Sequence, residues 1–146
     1  MIKEFRGDTR WLSNFSKFPN GKTIEHYYQA AKASSPSTRK YIAHLPSPGQ
    51  AKRAGQVCSM VPDWEVKKYR VMYRLLVYKF RDPVLRQKLL DTGDQYLEEG
   101  NTWHDRCWGV CYCSQCKGTG KNVLGKMIML IRKNIRRTVK NDLMLL

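Results

Sequence analysis

The stretch "DRCWGVCYCSQCKGTGKNVLGK", Asp105 to Lys126, holds three features that imply three different folds. Four cysteines fall within the ten residues Cys107 to Cys116, a glycine-rich turn follows, and Gly120 to Lys126 matches G-x-x-x-x-G-K. A phosphate loop would place that match at a strand-to-helix junction of a parallel sheet. The chemistry fails, because the residue after the lysine is Met127, where magnesium requires a Ser or Thr hydroxyl. The context fails as well. Val123, Leu124, Met127 and Ile128 continue one apolar helical face, so the match lies inside a helix instead of ahead of one. No βαβ alternation appears anywhere in the chain. The "GTGKN" turn sits just before a helix N-terminus, where free backbone N–H groups bind anions. A plain glycine-rich turn is the simpler account of it.

The cysteines are spaced Cys107-x3-Cys111-x-Cys113-x2-Cys116, with His104 nearby. Zinc takes four N or S ligands in a tetrahedron, and Cys113-x2-Cys116 is a good knuckle for it. Cys111-x-Cys113 is a less usual pair, and no second C-x2-C lies elsewhere. A loop of reduced thiols competes with a zinc set of Cys107, Cys111, Cys113 and Cys116. With Cys58 the cysteines number five, and the N-terminus MIKEFRGDTRW shows no secretory pattern, so structural disulfides are not expected. The expected location is the cytoplasm. "MIMLI" is too short to cross a bilayer, so no membrane partner is expected either.

The chain has 146 residues, 42% of them hydrophobic and 16 of them aromatic, which fits one domain with one core, spanning residues 1–146. Its net charge is +15. A field of that sign concentrates anionic partners such as nucleotides, sugar phosphates or nucleic acids. A basic, aromatic-rich chain also admits a second class of function, a nucleic-acid-binding module without catalysis, although no standard motif for one is present. A zinc-stabilised binding module around the cysteine loop is a third.

The apolar pattern is mainly helical. "TIEHYYQAAKAS" is expected as a helix with Thr23 as N-cap and Glu25 in its first turn. Pro36 ends it or opens a short helix to Tyr41. "PSPG" at 46–49 is a break before a short helical "QAKRAG". Pro62 and Asp63 begin what the pattern makes the longest helix, with Trp64, Met72, Leu75, Leu76 and Phe80 on one stripe. Pro83 opens another, closed by Gly93. Tyr96 to Cys113 is irregular or strand-like. A last helix runs from about Asn122 to Val139, with Leu124, Ile128, Ile131 and Ile135 at i, i+4, i+7 and i+11. The expected class is mainly α with a few short strands (α+β).

Six motifs occur in an order that resembles the NADAR family, also called the YbiA-like family, which includes the riboflavin biosynthesis intermediates N-glycosidases. They are "WLSNF" (11–15), "TIEHYYQAAKA" (23–33), "PSPGQAKRAGQ" (46–56), "PDWEVKKYRVMYRLLVYKF" (62–80), "LLDTGDQYLEEGN" (89–101), and D-x-x-W-G followed by G-x-G-x-N-x-L-G-x-x-x-M from Asp105 to Met129. The resemblance covers about Phe5 to Arg132. The segment between "LSNF" and "IEH" is short for the family, and the loop after "WG" is unusually rich in cysteine.

The resemblance implies a single compact YbiA-like domain that hydrolyses a bond between a ribose C1 and a nitrogen. The family's substrate classes are ribosylamino-pyrimidine phosphates of riboflavin synthesis and ADP-ribose on guanine bases. It implies no metal or organic cofactor for the chemistry. Such a reaction builds positive charge at C1 and negative charge on the leaving nitrogen, so carboxylates suit it. Glu25 and Asp105 are the catalytic candidates. Lys32 is a third, because Glu25, Gln29 and Lys32 lie at i, i+4 and i+7 on one helix face, and a lysine can form an imine at a sugar C1. Each has a plain alternative: a first-turn acid, a turn residue, a surface lysine. Trp64 and Trp108 are candidates for stacking on a base or ribose, with core packing as the alternative. Asn14 and Asn122 could hydrogen-bond ribose or phosphate, Tyr28 could line the pocket, and Gly109 and Gly120 belong to the implied substrate-binding set. His26 and His104 receive no role in the chemistry. The partners implied are a nucleotide-like or ADP-ribosylated substrate and the nucleic acid that carries the modification.

Overall fold

The computed structural model describes residues 1–146. The chain is mainly helical, with six α-helices and two two-residue strands. It divides into two compact units, Ser13–Lys79 and the combination of Met1–Leu12 with Phe80–Leu146.

The Ser13–Lys79 unit holds α1 (Ile24–Lys32), α2 (Pro36–Ala43), α3 (Pro48–Val57) and α4 (Trp64–Lys79). Helix α1 packs against the other three. Small residues permit this close approach: Ala30, Ala33 and Ala51 are buried around Ile42. Thr23 is the N-cap of α1, as its position predicts. It forms a capping box in which its hydroxyl accepts from the His26 N–H while the Thr23 N–H donates to His26 Nδ1. Helix α3 begins earlier than the "PSPG" break predicts. Ser47 caps it and Pro48 occupies its first turn, where the missing N–H has no intrahelical partner to lose. Pro36 likewise opens α2. Trp64, Met72 and Leu76 are buried on α4 as the stripe predicts, and Lys79 continues the same stripe.

The other unit begins with a 3-10 turn, Gly7–Leu12, and continues with α5 (Pro83–Asp91), β1 (Gly100–Asn101), β2 (Val110–Cys111) and α6 (Val123–Met144). Strands β1 and β2 pair in parallel, with Gly100 opposite Val110 and Asn101 opposite Cys111. No helix connects them, so the pair is not a βαβ unit. Helix α6 has 22 residues against 16 in α4, so it is the longest, and it runs past Val139 to Met144. Leu124, Ile128 and Ile131 are buried on it, whereas Ile135 is half-buried. No helix is long and apolar enough to cross a membrane.

His26 is fully buried. Its Nδ1 accepts from the Thr23 N–H at 3.1 Å, which leaves Nε2 to donate to the Leu45 carbonyl at 2.9 Å. Burial, helped by the charges of Lys22 and Lys17, holds its pKa below the ordinary 6.5. A proton added at Nδ1 would face the Thr23 N–H and break the capping box. The unfolded chain binds that proton near pH 6.5 and the folded one does not, so this stabilisation is complete above pH 6.5 and declines as pH falls below it. The melting temperature of the wild type should drop on acidification through this range. In His26→Gln that slope should flatten; an unchanged slope would assign the pH dependence to other groups.

Candidate active site

The sequence-predicted residues fall in two groups, one in each unit. In the Ser13–Lys79 unit, Glu25, Gln29 and Lys32 share one face of α1. Glu25 and Gln29 are buried, and Gln29 Nε2 donates to Glu25 Oε1 at 2.8 Å. The carboxylate lies in the first turn of α1, where the helix dipole favours negative charge. The Gln29 amide is itself positioned by α3. A Cβ on Gly55 would collide with it, so glycine at this position lets the amide stay where it is. This gives the A-K-x-x-G segment a physical reason.

Two buried acceptors in this unit, Gln29 Oε1 and Asn14 Oδ1, have no hydrogen-bond partner. Buried polar atoms are normally satisfied, so both are exceptions within this unit. Asn14 is otherwise well fixed. Its Nδ2 contacts Met72 Sδ at 3.5 Å, and its carbonyl accepts from the Glu25 N–H at 3.2 Å. The preceding residue is held by a lysine that the sequence reading missed: Lys79, buried, donates from Nζ to the Ser13 carbonyl at 2.9 Å. Its place on the buried stripe of α4, seven residues after Met72, was the available signal.

Lys32 is half-buried at the end of α1. Seven residues at about 1.5 Å each put roughly 10 Å of helix between its Cα and that of Glu25. Lys68, by hydrogen bond and by charge, holds the Glu65 carboxyl below its ordinary value, and Lys32 adds a smaller pull. Tyr28 and Trp64 are both buried and pack on each other, with ring centroids 5.2 Å apart. Tyr28 lies three residues after Glu25 and four before Lys32, at the edge of the same face of α1.

In the other unit, Asp105 builds a turn. Its Oδ1 accepts from the Trp108 N–H at 2.9 Å and the Cys107 N–H at 3.2 Å. The turn presents the carbonyls of Cys107, Trp108 and Gly109 to α6. They accept from the N–H groups of Val123, Leu124 and Asn122 respectively. Those N–H groups are therefore occupied by backbone, so the glycine-rich turn is no anion cradle at these positions. Gly120 permits the approach. Its φ is +155°, and a Cβ there would strike the Gly109 carbonyl. Asn122 is buried, left-handed at φ +50°, and committed internally. Its Oδ1 accepts from the Glu99 N–H, and its Nδ2 donates to the Leu97 carbonyl and to Tyr96 Oη. Both amide donors are used, which leaves none for a ligand. Trp108 is half-buried.

The cysteine loop is organised differently from the spacing argument. His104, Cys111, Cys113 and Cys116 bring one ligand atom each within 4.8 Å of one another, and Cys107 is not among them. Cys107 instead contributes its carbonyl to the α6 cap. The Cys116 N–H donates to Cys113 Sγ at 3.4 Å and, with the neighbouring thiols and the Gln115 backbone, lowers that thiol to about 7, while burial and its own neighbouring thiols raise the Cys116 thiol to about 11.

Residues 4–136 match the NADAR domain, across both units. The chain belongs to the NADAR domain family. It is similar to the N-glycosidase YbiA of Escherichia coli K12, 36% identical over 133 residues, covering 85% of this chain and 80% of that protein. An N-glycosidase of Nostoc punctiforme is 35% identical over 140 residues, covering 86% and 85%. The maize chloroplastic riboflavin biosynthesis protein PYRR is 35% identical over 130 residues, and the match spans 80% of this chain but 20% of that protein. Among solved structures, the NMR structure of E. coli YbiA superposes with a TM-score of 0.75 at 31% identity, over 94% of this chain and 88% of that one. The NADAR membership and the mainly helical fold expected from the motifs are thus both established.

The Asp105 turn separates charge from hydrogen bonding. Asp105→Asn retains an acceptor at Oδ1 and should melt close to the wild type. Asp105→Ala removes the acceptor for two N–H groups and should cost about 1–3 kcal/mol in chemical denaturation. Equal stability of the two variants would mean that the turn does not depend on this side chain.

Proposed function

We propose that this NADAR protein is an N-glycosidase that adds water across the bond between a ribose C1 and a base nitrogen. The observation that carries the proposal is the buried Glu25 carboxylate, aimed by Gln29 at the N-terminus of α1, in a chain whose relatives are named N-glycosidases. As the C1–N bond breaks, C1 gains positive charge, which a fixed carboxylate stabilises more in the transition state than in the ground state. The fixed Gln29 amide keeps that carboxylate in one orientation, as the reaction requires. Tyr28, one turn after Glu25 on the same side of α1, is held in place against Trp64.

Lys32 gives the reaction a covalent course. Its neutral amine adds to C1, and the C1–N bond to the base breaks as the base nitrogen takes up a proton. The ribose ring then opens, leaving an imine between Nζ and C1. Water hydrolyses the imine, returning the lysine and releasing the sugar aldehyde, which recloses. The substrate class is a ribosylated base bearing phosphate, either a ribosylamino-pyrimidine phosphate or ADP-ribose on guanine. The +15 charge favours the second, carried on a nucleic acid.

Mass spectrometry after incubation with a ribosylamino-pyrimidine phosphate and with an oligonucleotide bearing ADP-ribosyl guanine should detect a free base or free ADP-ribose. Glu25→Gln should lower turnover by about 10²–10⁴-fold with the melting temperature preserved. Borohydride added during turnover should leave a reduced sugar adduct on Lys32. Full activity in Lys32→Ala would remove the imine. Asp105→Asn tests the second carboxylate separately: lost turnover with retained stability assigns a part to its charge.

Gly55 and Gln29 act through one amide, so their effects should not add. Gly55→Ala and Gln29→Ala should each lower kcat/KM, by up to about 10²-fold, and the double variant should be no worse than the poorer single one. Additive losses would show that Gly55 acts by another route.

A further inference from the structure

Four side chains outside the glycosidase chemistry form a tetrad with the donor set of a structural metal. We propose that His104, Cys111, Cys113 and Cys116 bind one zinc ion in a closed Cys3His site. Their ligand atoms all lie within 4.8 Å of one another. His104 Nδ1 is 3.3 Å from Cys116 Sγ and 3.5 Å from Cys113 Sγ. A tetrahedral zinc with Zn–S about 2.3 Å and Zn–N about 2.0 Å needs ligand atoms about 3.5–3.8 Å apart, so the two His104 distances already fit and the widest pair closes by up to about 1 Å.

The backbone is arranged for thiolates. The Cys116 N–H donates to Cys113 Sγ at 3.4 Å and the His104 N–H to Cys111 Sγ at 3.3 Å. N–H groups aimed at sulfur spread the charge of a bound thiolate, the usual outer-shell support of a metal site. The local conformation fits a knuckle. Lys117 at φ +52° and Gly118 at φ +77° turn the chain back after Cys116, and the Lys117 N–H bonds to the Cys113 carbonyl at 2.9 Å. His104 itself is left-handed at φ +67°, an uncommon state for a residue with a Cβ. A ligand bond from its imidazole offsets the cost of that conformation.

The binding step balances simply. Three thiols release three protons, neutral imidazole donates from Nδ1, and the four ligands with Zn²⁺ carry a net charge of −1 in a basic chain. With four protein ligands the coordination is complete, so the ion is structural and activates no water. Its effect is to tie His104, and with it the segment entering the Asp105 turn, to β2 through Cys111 and to the knuckle at Cys113 and Cys116. Zinc is selected over calcium or magnesium by the soft sulfur donors.

The full chain, untagged and purified without chelator after growth in zinc-supplemented medium, should contain about one zinc per chain by elemental mass spectrometry. His104→Ala, Cys113→Ser and Cys116→Ser should each lose most of it, whereas Cys107→Ser and Cys58→Ser should keep it. Cobalt added to the stripped wild type should give the visible bands of a tetrahedral site together with thiolate charge-transfer absorption, a readout independent of any variant's folding. Metal removal should lower the melting temperature. A folded wild type that holds no zinc and gives no tetrahedral cobalt spectrum overturns the proposal, as does a Cys113–Cys116 disulfide in freshly prepared protein. Loss of zinc in Cys107→Ser with retention in His104→Ala overturns the ligand set. None of these readouts depends on glycosidase activity, so the site and the catalytic proposal fail or stand separately.

Discussion

The first N–H groups of a helix have no partner within it, and in α6 three backbone carbonyls from one turn fill that need. Cys107, Trp108 and Gly109 accept from Val123, Leu124 and Asn122. Much of the Phe80–Leu146 unit follows from this one arrangement. The turn must present its carbonyls together, so Asp105 Oδ1 ties down the intervening N–H groups of Cys107 and Trp108. The two backbones must come close, so position 120 has no Cβ. The helix must start abruptly, so Asn122 takes a left-handed conformation, and its amide ties the helix start to Leu97 and Glu99, just ahead of β1. The motif residues Asp105, Trp108, Gly109, Gly120 and Asn122 are thus parts of one joint.

The Ser13–Lys79 unit is organised around a different constraint, the burial of a carboxylate. An ion removed from water must recover its hydration from fixed dipoles. Glu25 has the N-terminus of α1 and the Gln29 amide, and the amide is held in place because α3 offers a glycine at position 55. Capping of α1 by Thr23 and His26 fixes the turn from which Glu25 projects. Each of these contacts restricts the carboxylate to one orientation, which is the preorganisation that the proposed chemistry would use.

Local rules made most of the helices legible. Thr23 as N-cap, Pro36 and Pro83 as helix openers and the apolar stripes of α4 and α6 all express chemistry within one or two turns of the residue concerned. The same locality explains the miss at α3. "PSPG" contains signals for both a break and a start, and only the Ser47 cap decides for the start. The face shared by Glu25, Gln29 and Lys32 was also readable, being a property of one helix. What lay beyond reach was long-range: the bond from Lys79 to Ser13, the occupied N–H groups of α6, and the internal use of the Asn122 amide. Spacing likewise put Cys107 in the metal set and left His104 outside it. A left-handed residue and a strand pairing decide that geometry, and neither is written in the interval between cysteines.

The buried cations show where this small chain departs from the cheapest fold. Arg132 Nη1 donates to Thr92 Oγ1 at 2.8 Å, and burial lowers its pKa from the ordinary value. That bond joins α6 to the C-cap of α5, a structural use for which the cost of desolvation is offset by a fixed helix contact. Lys79 is a stronger case. At that position on the apolar stripe a methionine would fill similar volume without the cost of burying charge. The lysine instead holds the Ser13 carbonyl, and the next residue is Asn14, whose own carbonyl caps Glu25 and whose Oδ1 is left unsatisfied. A buried charge, an orphan acceptor and a buried carboxylate thus follow one another along a single connected path. Two backbone carbonyls, those of Ser13 and Asn14, make that path, so a change that unseats the Lys79 ammonium would be felt at the first turn of α1.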